Sequence, residues 1–563
     1  IRWLSTFIIF PKNNFAGVFF DRGKKSVTLG EETYQLNTEI KGKSTFYFFL
    51  GDNKDIYANY KKIRNEVGFE DIKPKSRLFE LGWESWDALG WNTNQFTVRE
   101  VLQKFHNEGY PIRWAVTGSG FWEKGGITTN FGKWGNSFPD AKAFKSWMND
   151  NDIKWMIGLR TNFVPDGGPY IPLSDERDHN LTVNSYNGNP LSNEGLKNNY
   201  FLKDENGVPL RFTSKYFPQV PCYMLDGNQP GAALWFQQHY TLWDVDGIKE
   251  DTMMPVEYET SIFNKPKAKI ASEGGLVMAR NGEFVAPGTL MRINDTRVYQ
   301  MEDRIPNNYL QYAASGAPNV YSDVVGTFNM RNLREIEANI RHAWLLSLTA
   351  GMAVGVYPEK WPVDKQELYK KAVNFHYSLV PYLYSAAMKS YETGFPYTLT
   401  PLSIAFANDN DAYNFDDFQW LIGEAMLATP LLKNYKVGKR DVYLPAGVWY
   451  DWETGNRFSG PITIKDYKIP LQNTPCFVGG NGIVVLRKIN SDDLICRVYD
   501  VGKEVVSDFY TLSEGNKYSI NVLNTAFDTL KVVEAETGNP VAFYKGNNYI
   551  EFPIVEGSNY DIR

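Results

Sequence analysis

Cysteine is scarce in this chain. Cys222, Cys476 and Cys496 stand far apart with no C-x-x-C spacing, so neither a zinc site nor a disulfide framework is expected. Long apolar runs are missing too. The longest, WLLSLTAGMAVGVY from Trp344 to Tyr357, covers about 14 residues and holds two glycines, short of the roughly 18–20 needed to cross a bilayer, and it reads as buried structure. Charge of one sign is also lacking: 59 basic and 65 acidic side chains leave a net charge of −6, with no free-standing Lys/Arg run longer than two. That balance excludes a nucleic-acid or membrane-surface footprint. There is no G-x-S-x-G elbow, no G-x-G-x-x-G loop, and no internal repeat. The five histidines, at 106, 179, 239, 342 and 376, are scattered and mostly lie in expected helices, which makes each a structural residue first. The opening IRWLSTFIIF has no basic stretch ahead of an apolar one, so no signal peptide is expected there. The compartment stays open, secreted or periplasmic being slightly favoured.

What is present is a large folded chain. At 563 residues and 43% apolar it exceeds one core and divides into several domains. Aromatic residues make up 15%, including 16 Trp and 34 Tyr, more than a core requires and suited to flat polyhydroxylated ligands such as carbohydrate.

The first sixty residues alternate short β-prone runs with turns, the pattern of a partial β-sandwich at 1–62. A helical stretch at 55–68 leads to Pro74. From Leu78 the chain alternates apolar strand-like runs with amphipathic helices, and eight strands are expected: LFELGWESW, PIRWAVTG, IKWMIGLRTNF, VDGIKEDTMM, AKIASEGGLVMAR, GTLMRINDT, NVYSDVVG and GMAVGVYP. Eight units predict an α/β fold, a (β/α)8 barrel at 63–396, with a Gly-, Pro-, Asn- and Asp-rich insertion at 164–230 overhanging its catalytic face. Renewed β texture predicts C-terminal β-sandwich domains at 397–482 and 483–563.

Barrel chemistry sits at the C-terminal strand ends, so polar residues there are the candidates. They are Trp83 to Asp87 after strand one, Arg160 and Asn162 after strand three, Lys249 and Asp251 after strand four, Arg280 after five, Arg292 and Asp295 after six, and Asp323 after seven. Several carboxylates with Arg and Lys, but no metal-ligand cluster, nucleotide loop or Ser/Cys–His pairing, suit acid/base and nucleophilic work by two acids. Glycoside hydrolysis is the obvious case.

On these stretches the chain resembles glycoside hydrolase family 31, retaining α-glycosidases, from about Thr45 to Leu486. FLGDNKDIYANYKKI resembles the family's lead-in to the barrel, DGIKED its nucleophile strand, and VMARNGEFVAPGTLMRIND the segment from a sugar-binding Arg to the acid/base Asp. SGAPNVYSDVVGTF resembles the strand ending in a sugar-binding Asp; DVYLPAGVWYDWETG and TPCFVGGNGIVVL resemble the C-terminal sandwich. The resemblance implies Asp251 as nucleophile, Asp295 as general acid/base, Arg280 and Asp323 as sugar contacts, no cofactor or metal, and carboxyl groups about 5–5.5 Å apart. Lys249, two residues before Asp251, is expected to point the same way along the strand and favour its anionic form.

The chain departs from the family's glucosidases. No carboxylate occurs from Arg113 to Trp122, where those relatives grip the 4- and 6-hydroxyls, and Met253 and Met254 replace an Asn-Glu. GWESWDALGWN, KED and MRIND instead resemble motifs of α-galactosidases in the same clan. The expectation is therefore an exo-acting retaining α-galactosidase with a carbohydrate substrate; Trp83, Glu84, Asp87, Thr117, Trp122, Lys249 and Arg292 complete the candidate contacts. The alternatives are an α-N-acetylgalactosaminidase, an α-glucosidase or α-xylosidase, a transglycosylase and a non-enzymatic carbohydrate-binding protein. Asp303 is a weaker candidate for the acid, and Asn180 and Asn294 open glycosylation sequons.

Overall fold

The computed structural model describes all residues except 1–4, 21–24, 30–33, 39–44, 70, 119–133, 160–161, 164, 166–190, 214–220, 228, 251–268, 280–283, 285–289, 294–303, 323–332, 434–435, 490 and 528. Every expected barrel strand has a counterpart: β1 Leu81–Glu84, β2 Ile112–Thr117, β3 Lys154–Leu159, β4 Gly247–Glu250, β5 Leu276–Ala279, β6 Leu290–Arg292, β7 Val320–Tyr321 and β8 Met352–Val354. Neighbours run parallel in the order β7-β6-β5-β4-β3-β2-β1-β8. Gly351 N donates to Val320 O at 3.3 Å, which brings the start of β8 to β7 and nearly closes the ring.

Two strands differ from expectation. Residues 269–272 are helical, and β5 begins only at Leu276. Gly274, at φ +93°, takes the left-handed backbone that ends the helix. In NVYSDVVG only Val320 and Tyr321 are strand; from Asp323 the segment lies outside the described residues.

Helices surround the strands for ordinary reasons. In α1, Asn53–Glu66, Ile56, Tyr57 and Tyr60 turn inward. In α2, Gln95–Asn107, a capping box links Asn94 and Thr97, and Val98, Leu102 and Phe105 form the buried stripe. In α3, Ala141–Asp150, the Asp140 carboxylate accepts from Ala143 N.

The strands Ile8–Phe10, Phe15–Phe19 and Phe46–Leu50 form an antiparallel sheet before the barrel. Ala16, Val18 and Phe49 pack with Tyr57 and Tyr60 of α1, while Phe48 and Leu50 on the other face are 67% and 74% exposed. In the long insertion, the described residues hold a helix, Leu191–Lys197, and strands Phe212–Thr213 and Pro221–Met224, which join Asn162–Phe163 in a small antiparallel sheet. After the barrel, α4, Val363–Thr393, is buried along much of its length. Its Tyr382 hydroxyl donates to Ile422 O at 2.9 Å and accepts from Ala425 N at 2.8 Å, tying the barrel to a six-stranded sheet between Thr400 and Val478. Four- and five-stranded sheets follow from Ile483 to Ile562. Among the described residues, no helix is long and apolar enough to cross a membrane.

Candidate active site

Side chains alternate across a strand, so register decides which ones face the lumen. Glu84 stands opposite Val116, Val116 opposite Met156, Lys249 opposite Gly158, and Arg292 opposite Tyr321. These positions share the inward face. Gly82 lies opposite Trp114 on the same face, and a Cβ there would come within 2.2 Å of the indole, so glycine is what lets Trp114 lie across the lumen.

The inward polar side chains converge. Lys249 Nζ forms an ion pair with Glu84 Oε2, and the Tyr321 hydroxyl donates to Glu84 Oε1 at 2.5 Å. Glu84, Lys249 and Tyr321 are 1%, 6% and 0% exposed, and Arg292, opposite Tyr321, is 6% exposed. Either charge alone in such surroundings would cost several kcal/mol, a desolvation penalty that the attraction and hydrogen bond between the two offset. Lys249 thus has Glu84 as an ion-pair partner, while Asp251, whose anionic form it was expected to favour, lies outside the described residues. Opposite Glu84, β2 presents Val116, and opposite Lys249, β3 presents Gly158; neither carries a polar side chain.

Trp83 and Thr117 occupy the other parity. Trp83 is opposite Ala115 and Val354, and its indole Nε1 donates to Gly355 O at 2.9 Å. Thr117 is fully buried, and its hydroxyl oxygen accepts from Trp155 Nε1 at 3.0 Å. Trp155 in turn meets Phe144 of α3 edge to face at 4.7 Å. Both residues therefore lie in the layer between barrel and helices. The pleat turns alternate residues of one strand to opposite faces, so these two stand on the face opposite Glu84 and Lys249, whereas the expectation grouped them with those residues as sugar contacts.

The remaining candidates are only partly visible. Asp251, Asp295, Arg280, Asp323, Trp122, Asp303, Arg160, Asn180, Asn294, Met253 and Met254 lie outside the described residues. Asp87 falls in a short helix, Ser85–Leu89, and its side chain is outside them as well. Tyr321 is the residue missed from the sequence. A signal was there: it stands two residues before Asp323, as Lys249 stands two before Asp251.

Among the described residues no group of three or more His, Cys, Asp or Glu side chains is arranged to hold a metal ion. His376 is fully buried between Phe79 O, at 2.9 Å, and Ser347 O, at 3.4 Å, and burial pushes it down to about 4. A groove of about 870 Å³ lined by Trp134, Phe138, Trp155 and Trp243 lies on the helix side of β3, away from the lumen.

Residues 78–283 match the model described as the glycosyl hydrolases family 31 TIM-barrel domain, and residues 396–484 the glycosyl hydrolase family 31 C-terminal domain. Together they span just over half of the chain. An α-xylosidase of Saccharolobus solfataricus is 22% identical over 507 residues, which cover 84% of this chain and 64% of that protein. The dextranase of Flavobacterium johnsoniae in complex with isomaltotriose superimposes with a TM-score of 0.70 at 16% identity, covering 98% of this chain and 78% of the other. The cycloalternan-forming enzyme from Listeria monocytogenes gives 0.74 at 14% identity, with coverages of 99% and 60%. The chain thus spans less than two thirds of the length of the α-xylosidase.

Proposed function

The chain belongs to glycoside hydrolase family 31, and on that premise we propose that it is an exo-acting retaining α-glycosidase. One observation carries the reading: among the described residues, the buried polar side chains of Glu84, Lys249, Arg292 and Tyr321, from β1, β4, β6 and β7, share the inward face near the C-terminal ends of the strands. Asp251 follows β4 directly, and Asp295 follows β6 by three residues. In the proposed reaction Asp251 attacks the anomeric carbon while Asp295 protonates the departing oxygen. Asp295 then takes a proton from water, which opens the glycosyl-enzyme with net retention. Arg280 and Asp323 contact the sugar, and neither step calls for a cofactor.

The finer reading is an α-galactosidase. It is supported by Lys249 near the C-terminal end of the nucleophile strand, two residues before Asp251, and by the lack of a carboxylate from Arg113 to Trp122. A second reading, an α-xyloside or α-glucoside as substrate, is favoured by the names of the α-xylosidase and dextranase relatives. The name of the cycloalternan-forming enzyme favours some glycosyl transfer.

A panel of 4-nitrophenyl α-glycosides, with the first-formed anomer read by NMR, tests both readings. Turnover of the galactoside with retention is the expected result; turnover of xyloside or glucoside alone selects the second. Asp251→Ala is expected to abolish turnover, and a near-normal rate would refute the nucleophile assignment. Asp295→Ala is expected to lose about 10²–10⁴-fold on poor leaving groups and much less on 4-nitrophenolate.

A further inference from the structure

Both oxygens of Glu84 are committed, to partners on two different strands. Lys249 of β4 takes Oε2 and Tyr321 of β7 takes Oε1, so three strands spread around the barrel meet at one carboxylate. The Tyr321 ring is itself fixed, edge-on to Trp114 with centroids 6.0 Å apart, and both rings are fully buried. A Glu carboxyl rotates in a broad torsional well and a Lys ammonium rides on a flexible four-carbon stem. Neither holds a direction unaided. With Tyr321 in place the carboxylate plane is set, and with it the place of the ammonium two residues before Asp251.

We propose that Tyr321 is a positioning residue for substrate recognition, fixing Lys249 through Glu84 so that the ammonium donates to one hydroxyl of the sugar beside Asp251. The proposal rests on the glycosidase reading above and deepens it. It locates specificity on β1, β4 and β7; among the described residues, β2 presents Val116 opposite Glu84 and β3 presents Gly158 opposite Lys249, neither with a polar side chain. Small displacements of a hydrogen-bonding group at a reacting sugar have large effects on rate, which is why a buried support for Lys249 would be retained.

The test compares wild type, Tyr321→Phe, Lys249→Met and the double variant on the preferred 4-nitrophenyl α-glycoside and its monodeoxy derivatives. Tyr321→Phe keeps the ring and removes only the hydroxyl. It is expected to lower kcat/KM on the parent sugar about 10- to 100-fold, the effect of weakening one charge-assisted hydrogen bond. On the one derivative lacking the hydroxyl that Lys249 meets, all four proteins are expected to agree within about twofold, and in the Lys249→Met background Tyr321→Phe should add nothing further. An equal loss on the parent and every deoxy derivative would mean that Tyr321 merely holds the barrel together, and would overturn the proposal. So would an undiminished rate in Tyr321→Phe. Glu84→Gln, which keeps size and an acceptor for Tyr321, should show the same selective loss if it folds as wild type. Failure of the glycosidase reading looks different: wild type itself would release nothing from any α-glycoside, and the proposal would fall with it.

Discussion

The buried Glu84–Lys249 pair allows a stability test independent of any substrate. Replacing Lys249 by Met leaves the Glu84 carboxylate, 1% exposed, with its Tyr321 bond as the remaining support on that side. Breaking a buried pair from one end costs about 3–5 kcal/mol, because the abandoned charge keeps its desolvation penalty. Glu84→Leu should cost a similar amount by taking the Glu84 carboxylate away from the Lys249 ammonium, which is 6% exposed. The double variant removes both charges and replaces them with apolar groups of comparable length. It should therefore be more stable than either single variant, and the two costs should fall short of additivity by at least about 2 kcal/mol. Urea unfolding followed by tryptophan fluorescence reads this directly, with Trp83, Trp114 and Trp155 all buried in the barrel. Additivity within about 0.5 kcal/mol, or single variants costing under about 1 kcal/mol, would refute the reasoning and mean that solvent reaches the pair.

Two further outcomes follow from the same geometry. Thr117→Val should leave kcat/KM unchanged on every glycoside, because the side chain faces the helix layer, yet cost about 1–3 kcal/mol by stranding the Trp155 indole N–H; a changed substrate preference would restore Thr117 to the sugar site. His376 titrates near 4 in the fold against an ordinary value of about 6.5, so between those values the unfolded chain binds a proton that the native one refuses, and stability falls with falling pH across that window. The loss reaches about 3 kcal/mol by pH 4, and the stability difference between wild type and His376→Gln, followed from pH 7 to 4, should shrink accordingly.

Much of the scaffold was legible because it rests on local pattern. Apolar strand runs alternating with stripes such as Val98, Leu102 and Phe105 announce βα units before any contact is known. Asp251 and Asp295 stand out in the sequence because they directly follow such strand-like runs, which is what makes them the proposed pair. The N-terminus of β5 is a local failure of the pattern: AKIASEGG runs on into the apolar LVMA and so predicts one strand, whereas residues 269–272 are helical and Gly274 ends that turn before the strand begins at Leu276.

The sequence by itself determined the eight-stranded alternation, the β-rich ends and the family, since these depend on periodicity and on motifs contiguous along the chain. Only the tertiary structure decided which side chains share the lumen. A strand buried on both faces is apolar throughout, so nothing in RWAVT or LGWE reveals which parity points inward. That choice sent Trp83 and Thr117 to the helix layer and Glu84 to the interior. It also joined Glu84 to Lys249 across 165 residues and to Tyr321 across 237, contacts that exist because a ring of parallel strands brings distant strand ends to one level.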